Sequence, residues 1–168
     1  ENLKALVEVL KKHPQIVVLA DEIYQHILYT GKHETLAQFP ELEDRLIIIN
    51  GVSKAYAMTG YRIGWLACHD KDLITAVKRL QGQTISCATT IAQKAAEAAY
   101  TGPQECVEEM RQAFERRRNL IVGLAKEIPG MKVLEPQGAF YLFPDVSAYF
   151  GKQYQGQTIH NADELVTF

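Results

Sequence analysis

The run Leu46-Ile47-Ile48-Ile49 constrains this chain more than any other feature. Successive branched apolar residues cannot alternate between core and solvent, so they read as a strand buried on both faces, as in open, mostly parallel α/β sheets. Ile16-Val17-Val18-Leu19-Ala20 reads the same way. Sheets of this kind hold ligands at the carboxyl ends of their strands, and there the chain concentrates its polar residues. Asp21-Glu22-Ile23-Tyr24 follows the first run and Ser53-Lys54 closely follows the second. Arg62 stands eight residues beyond Lys54, on the return leg of a turn expected at Gly60.

These residue types converge on one chemistry. A lysine amine in dry, cationic surroundings loses basicity and becomes free to form an imine with a carbonyl. The planar donor fork of an arginine suits a doubly charged phosphate, and Ser53 adds a hydroxyl. A carboxylate such as Asp21 keeps a pyridine nitrogen protonated, and a phenol such as Tyr24 donates to a ring oxygen beside the imine. Aldehyde, phosphate and pyridine together describe pyridoxal 5'-phosphate. Each residue alone has a plainer role: Lys54 as a solvated cap, Asp21 as a helix N-cap, Tyr24 as core and Arg62 as a strand-edge charge. Ser53 and Lys54 could also be the nucleophile and base of a hydrolase, but neighbours on a strand point to opposite faces.

In order and spacing, Asp21-Glu22-x-Tyr24, Ser53-Lys54 and Gly60-x-Arg62-x-Gly64 resemble the fold-type I pyridoxal-phosphate enzymes, specifically the class I aminotransferases related to aspartate aminotransferase. Pro136-x-Gly138-Ala139-Phe140-Tyr141-x-Phe143-Pro144 looks like a segment these enzymes carry near the substrate, and the resemblance extends over essentially the whole chain. It implies an α/β fold: part of the aminotransferase large domain, a sheet with flanking helices, followed by the start of the small α+β C-terminal domain. Carried over, it makes Lys54 the Schiff-base lysine and proton carrier, Asp21 the pyridinium partner, Tyr24 the ring-oxygen donor, and Ser53 and Arg62 phosphate ligands. The implied activity moves an amino group between an amino acid and a 2-keto acid, in a homodimer. A pyridoxal-phosphate lyase of the same fold, or an aminotransferase-like ligand-sensing domain of a transcription regulator, would carry the same motifs. The family's glycine-containing phosphate loop, ring-stacking aromatic residue, ring-oxygen asparagine and carboxylate-clamping arginine have no counterpart here. Transamination by this stretch alone is therefore not expected.

Composition narrows the classes further. A net charge of -2 argues against a nucleic-acid partner, and no apolar run approaches the roughly 20 residues that cross a bilayer. Cys68, Cys87 and Cys106 are too scattered for a disulfide framework or a zinc site, and read as reduced thiols of a cytoplasmic protein. His13, His26, His33, His69 and His160 show no metal-ligand pairing and read as loop or surface residues.

Helical periodicity fills much of the remaining chain. Asn2 is expected to cap a helix with the stripe Leu3, Leu6, Val7 and Leu10, and Asp70 or Asp72 to start one bearing Leu73, Ile74, Val77 and Leu80, weakened or ended at Gly82. Residues 91–100 form an alanine-rich helix closing at Gly102. From Pro103 the longest helix carries Val107, Met110, Phe114, Ile121, Leu124 and Ile128 and stops at Pro129-Gly130, with Arg116-Arg117-Arg118 as a solvated face. The resemblance makes this helix the link between domains, so the expected division is 1–115 and 116–168. Two strands are expected at 132–134 and 140–143, joined through a turn at Pro136-Gln137-Gly138, with Phe140 and Tyr141 in packing roles. Residues 151–157 read as an exposed loop. A last helix is expected behind Asn161 or Asp163, its face begun by Leu165, Val166 and Phe168. With no initiator methionine and an apolar helix at each end, the chain reads as an internal fragment of a longer polypeptide.

Overall fold

The two apolar runs become the neighbouring strands of a small mixed sheet. The computed structural model describes residues 2–167. In it β1 (Val18–Asp21) lies parallel to β2 (Leu46–Gly51), Val18 opposite Leu46 and Asp21 opposite Ile49. Antiparallel to β2 on its other edge runs β3 (Gly64–Ala67). The first strand starts two residues later than its apolar run because Ile16 is used elsewhere. Its amide donates to the His13 carbonyl at 3.1 Å, and its carbonyl accepts from the Arg45 guanidinium at 2.9 Å. Arg45 also takes the Leu10 and His13 carbonyls, each at 2.8 Å. It thereby caps the end of α1 (Asn2–Lys11), where orphan carbonyls favour a cation.

The core lies between α1, two 3₁₀ turns (Leu36–Gln38 and Pro40–Arg45) and one face of the sheet. Val7, Leu36, Leu42 and Leu46 form its centre, with Leu3, Leu10, Val18, Ala20, Phe39 and Ile48 packed around them. Leu6 is exposed, so the helix buries a narrower stripe than expected, and Asn2 is its first helical residue rather than its cap. The expectation that β1 is buried on both faces also fails in this chain: Val18 and Ala20 face the core while Leu19 stands 61% exposed. Helix α1 covers only one side.

Four further helices follow. In α2 (Lys71–Thr84) the Asp70 carboxylate accepts the Leu73 amide at 2.9 Å, as an N-cap should. The helix continues through Gly82, which weakens a helix by about 1 kcal/mol without breaking its bonding. Thr89 caps α3 (Thr90–Thr101), which closes at Gly102. The longest element, α4 (Glu105–Glu127), is continuous across residues 115 and 116. Its second half buries Arg118, Val122 and Ala125, whereas Ile121, Leu124 and Ile128 are exposed. Arg118 is the reason, and it corrects the reading of the arginine cluster as a wholly solvated face. Its guanidinium donates to the Pro136 carbonyl at 2.7 Å, pairs with Glu135 at 3.1 Å and lies 4.8 Å from the Tyr29 ring centre.

Beyond α4, β4 (Lys132–Val133) pairs antiparallel with β5 (Pro144–Asp145). Residues 140–143 are therefore not a strand. Their segment is drawn off to Leu28, which bridges to Gly138. The expected exposed loop at 151–157 is instead a hairpin of β6 (Gln153–Tyr154) and β7 (Gln157–Thr158). Gln155 and Gly156, at φ 49 and 83, supply the two left-handed residues that a tight hairpin turn needs. Asn161 accepts the Glu164 amide at 2.9 Å and caps α5 (Ala162–Thr167). Phe168, assigned to that helix's apolar face, lies outside the described residues. No helix among the described residues is long and apolar enough to cross a membrane.

Leu42 is fully buried at the centre of the core. Leu42→Ala is expected to lower stability by about 2–5 kcal/mol, read from the midpoint of urea denaturation. A loss under about 1 kcal/mol would show that this cluster does not hold α1 to the sheet.

Candidate active site

Parallel pairing brings the carboxyl ends of β1 and β2 to one edge of the sheet. Past Asp21, the Glu22 amide donates to the Ile49 carbonyl at 2.8 Å, which extends the pairing and fixes where the chain leaves the sheet. A turn follows, with Gln25 N–H on the Glu22 carbonyl at 3.0 Å and Ile27 N–H on the Tyr24 carbonyl at 2.9 Å. Asp21 is solvent-exposed at the strand end, where its carboxylate accepts the Ile23 amide at 3.2 Å. It caps a turn rather than a helix, and its remaining oxygen is open to another donor.

At the end of β2, Gly51 sits opposite Gly64. A side-chain carbon on Gly51 would lie 2.9 Å from the Gly64 Cα, so the two strands close this tightly only as glycines. Ser53 and Lys54 follow directly, and the chain returns through a short 3₁₀ turn (Thr59–Tyr61) to Arg62. The left-handed residues of this return are Ala57 at φ 53 and Arg62 itself at φ 52, not Gly60. Non-glycine residues in this region carry backbone strain of the kind found at functional sites. The Arg62 guanidinium donates to the Thr59 carbonyl at 2.8 Å.

Lys54 is half-buried, and its ammonium faces aromatic rings rather than carboxylates. Nζ lies 5.8 Å from the ring centre of Tyr24 and 5.5 Å from that of Phe140, within reach of cation–π attraction. Tyr24 meets Phe140 and Tyr141 edge-to-face, at 5.3 and 5.6 Å between ring centres. The hydroxyls of Tyr24 and Tyr141 are 2.6 Å apart. Partial burial, then the bond to Tyr141 and that ring's charge, then the charge of Asp21, push the Tyr24 phenol up to about 12. Tyr24 therefore keeps its proton throughout the neutral range.

Among the described residues, Lys54 and Arg62 form no ion pair, and Ser53 makes no hydrogen bond to Lys54. The structure thus gathers Asp21 and Lys54 around Tyr24. Ser53 and Arg62 reach the same sheet end through the Gly51–Gly64 pair. Sequence reasoning gave Phe140 and Tyr141 packing roles first, yet Phe140 flanks Lys54 and Tyr141 bonds to Tyr24. The signal was their place in the Gly138-Ala139-Phe140-Tyr141 segment. Beneath the site, Asn50 is 4% exposed. Its Oδ1 accepts the Gly51 amide at 2.7 Å, while its buried Nδ2 has no partner among the described residues.

A lysine between aromatic faces at the carboxyl edge of a parallel pair, with an aspartate and a tyrosine leaving the adjacent strand, defines a recognised class of protein. The chain belongs to the aminotransferase class I and II family, whose model matches residues 1–166. It is 52% identical over 147 residues to an aspartate aminotransferase of Geobacillus stearothermophilus, covering 86% of this chain and 37% of that protein. It is 44% identical over 165 residues to an aspartate/prephenate aminotransferase of Cereibacter sphaeroides, covering 97% and 41%. The crystal structure of an aspartate aminotransferase from Rhizobium meliloti superposes with a TM-score of 0.91 at 40% identity, covering 98% of this chain and 42% of that one. The chain thus spans about two fifths of the length of these relatives.

The aromatic wall depends on Gly138, where a side-chain carbon would lie 2.7 Å from Leu28 Cδ2 and 2.8 Å from the Ile27 carbonyl oxygen. Leu28 could swing aside, but the Ile27 carbonyl belongs to the backbone that holds Tyr24. Gly138→Ala is expected to cost about 1–3 kcal/mol of stability and to speed hydrogen exchange at the Ala139 amide. Wild-type exchange at that amide would mean that the loop is held elsewhere.

Proposed function

We propose that this chain is the cofactor-binding part of a pyridoxal-phosphate-dependent aminotransferase, which moves an amino group between an amino acid and a 2-keto acid. The observation that carries the reading is the Lys54 ammonium, half-buried against Tyr24 and Phe140 with no carboxylate partner among the described residues. The donor set fits the group: an amine for the aldehyde, Asp21 for the ring nitrogen, Tyr24 for the ring oxygen, and the Ser53 hydroxyl and Arg62 fork for the phosphate. When bound, the cofactor supplies an aldehyde that captures amines and a pyridinium ring that draws electrons from the substrate α-carbon.

The rest is the work of the chain's own residues. Lys54 would hold the cofactor's aldehyde through its amine and, once free, would carry a proton to and from the substrate α-carbon. The rings of Tyr24 and Phe140 flank its Nζ, at 5.8 and 5.5 Å from the ring centres. Asp21, at an exposed strand end, keeps the ring nitrogen protonated, and Tyr24 donates to the ring oxygen. Arg62, which has no ion pair among the described residues, would take a dianion without first breaking a salt bridge.

The same proposal makes α4 the link between a large cofactor domain at 1–115 and a small domain from 116 onward. It also makes the full-length protein a cytoplasmic homodimer.

In the full-length protein, Lys54→Ala is expected to abolish the visible absorbance that added pyridoxal phosphate gains on the wild type, and to lower turnover about 10³-fold or more. Asp21→Ala should bind the cofactor more weakly and turn over more slowly. Retention of wild-type absorbance and turnover by Lys54→Ala would overturn the assignment.

A further inference from the structure

We propose that Tyr141 is a positioning residue for Tyr24: its hydroxyl donates to the Tyr24 oxygen and so commits the single Tyr24 proton to the cofactor's ring oxygen. The inference rests on the reading of the site given above and adds to it a residue from the far side of the chain. Its basis is the pair of phenols 2.6 Å apart, 117 residues apart in sequence, with their rings edge-to-face at 5.6 Å.

A phenol has one proton to donate and two lone pairs to accept with. Two hydroxyls at this distance share one hydrogen bond, and either can be its donor. If Tyr24 donates to Tyr141, the lone pairs of Tyr24 remain open and its proton is used up. If Tyr141 donates, Tyr24 keeps a proton for another acceptor. The groups facing Tyr24 decide between the two. From the end of β1 comes Asp21, which repels negative charge on the Tyr24 oxygen. From the turn after β2 comes the Lys54 ammonium, over the ring rather than bonded to the hydroxyl. From the loop before β5 come Tyr141 and the apolar Phe140.

With the cofactor bound, its anionic ring oxygen would be a strong acceptor for the Tyr24 proton and would favour the arrangement in which Tyr141 donates. Tyr141 is 62% exposed, so water can satisfy its own lone pairs. Chained hydrogen bonds polarise one another, and Tyr24 becomes a stronger donor than an isolated phenol. The ring oxygen is then held more firmly in its anionic form.

The test is a pH titration of the visible absorbance of the full-length protein loaded with pyridoxal phosphate, in the wild type, Tyr141→Phe, Tyr24→Phe and the double variant. Tyr141→Phe keeps the exposed ring and removes only the hydroxyl. Loss of a donor to the anionic form raises the midpoint: about half a pH unit is expected for Tyr141→Phe, and about one unit or more for Tyr24→Phe. The double variant should match Tyr24→Phe alone, because Tyr141 acts only through that oxygen. An unmoved midpoint in Tyr141→Phe, or shifts that simply add in the double variant, would overturn the proposal. A wild-type protein that gains no borohydride-sensitive absorbance from the cofactor would instead sink the reading of the site itself, and this inference with it.

Discussion

The site depends on the pairing of two segments that lie far apart in sequence, residues 27–29 and 137–139. Leu28 and Gly138 form an antiparallel bridge. It is flanked by Tyr29 N–H on the Gln137 carbonyl at 2.9 Å and Ala139 N–H on the Ile27 carbonyl at 2.8 Å, and the Tyr29 hydroxyl donates to the Ala139 carbonyl. Each such bond contributes about 1 kcal/mol net, so the pairing is not strong in itself. Its force lies in what it aligns. Three residues upstream of Ile27 stands Tyr24, and one and two residues past Ala139 stand Phe140 and Tyr141; the bridge sets these rings against one another, with Tyr24 and Phe140 beside Lys54.

Helix α4 holds that bridge from behind. Arg111 reaches the Leu28 carbonyl at 3.4 Å while pairing with Glu108 and Glu115 at 2.8 and 2.9 Å, which holds the Glu108 carboxyl down at about 2. Two turns further on, Arg118 grips the Pro136 carbonyl and lies over Tyr29. A charge as buried as Arg118 is tolerated only when its donors are satisfied, and Asn119, Glu135 and Pro136 satisfy them. One rigid helix therefore touches both partners of the bridge. Arg111 and Arg118 are committed to structure on α4, whereas Arg62 forms no ion pair among the described residues.

Much of this was legible where local chemistry decides the outcome. Leu46 to Ile49 announced β2, Asp70 and Thr89 stand where caps must, and Gly102 closes its helix. The polar residues at the two strand ends revealed the candidate site because a parallel pair leaves them nowhere else to go. What stayed hidden was set by contacts across long separations. Glu115 and Asn119 are local partners of Arg118, but Tyr29, Glu135 and Pro136, which complete its surroundings, lie far off in sequence. Residues 140–143 look like a strand, but the backbone groups of Gln137 and Ala139 just before them bond to residues 27–29, while β4 pairs with Pro144–Asp145. The hairpin at Gln155-Gly156 was missed because glutamine seldom takes a left-handed backbone.

One face of the sheet carries a different kind of information. A strand pair joined in parallel is ordinarily covered on both sides, and here α1 and the 3₁₀ turns cover one side while Leu19 on β1 remains largely open to solvent on the other. A run as apolar as β2 is wasteful for a sheet with a wet face, since its alternate residues would do as well polar. The composition of β2 therefore suits a covered sheet, consistent with a chain that spans about two fifths of its relatives' length. On the other face the buried Asn50 amide nitrogen has no partner among the described residues, and a donor left so costs about 1–3 kcal/mol.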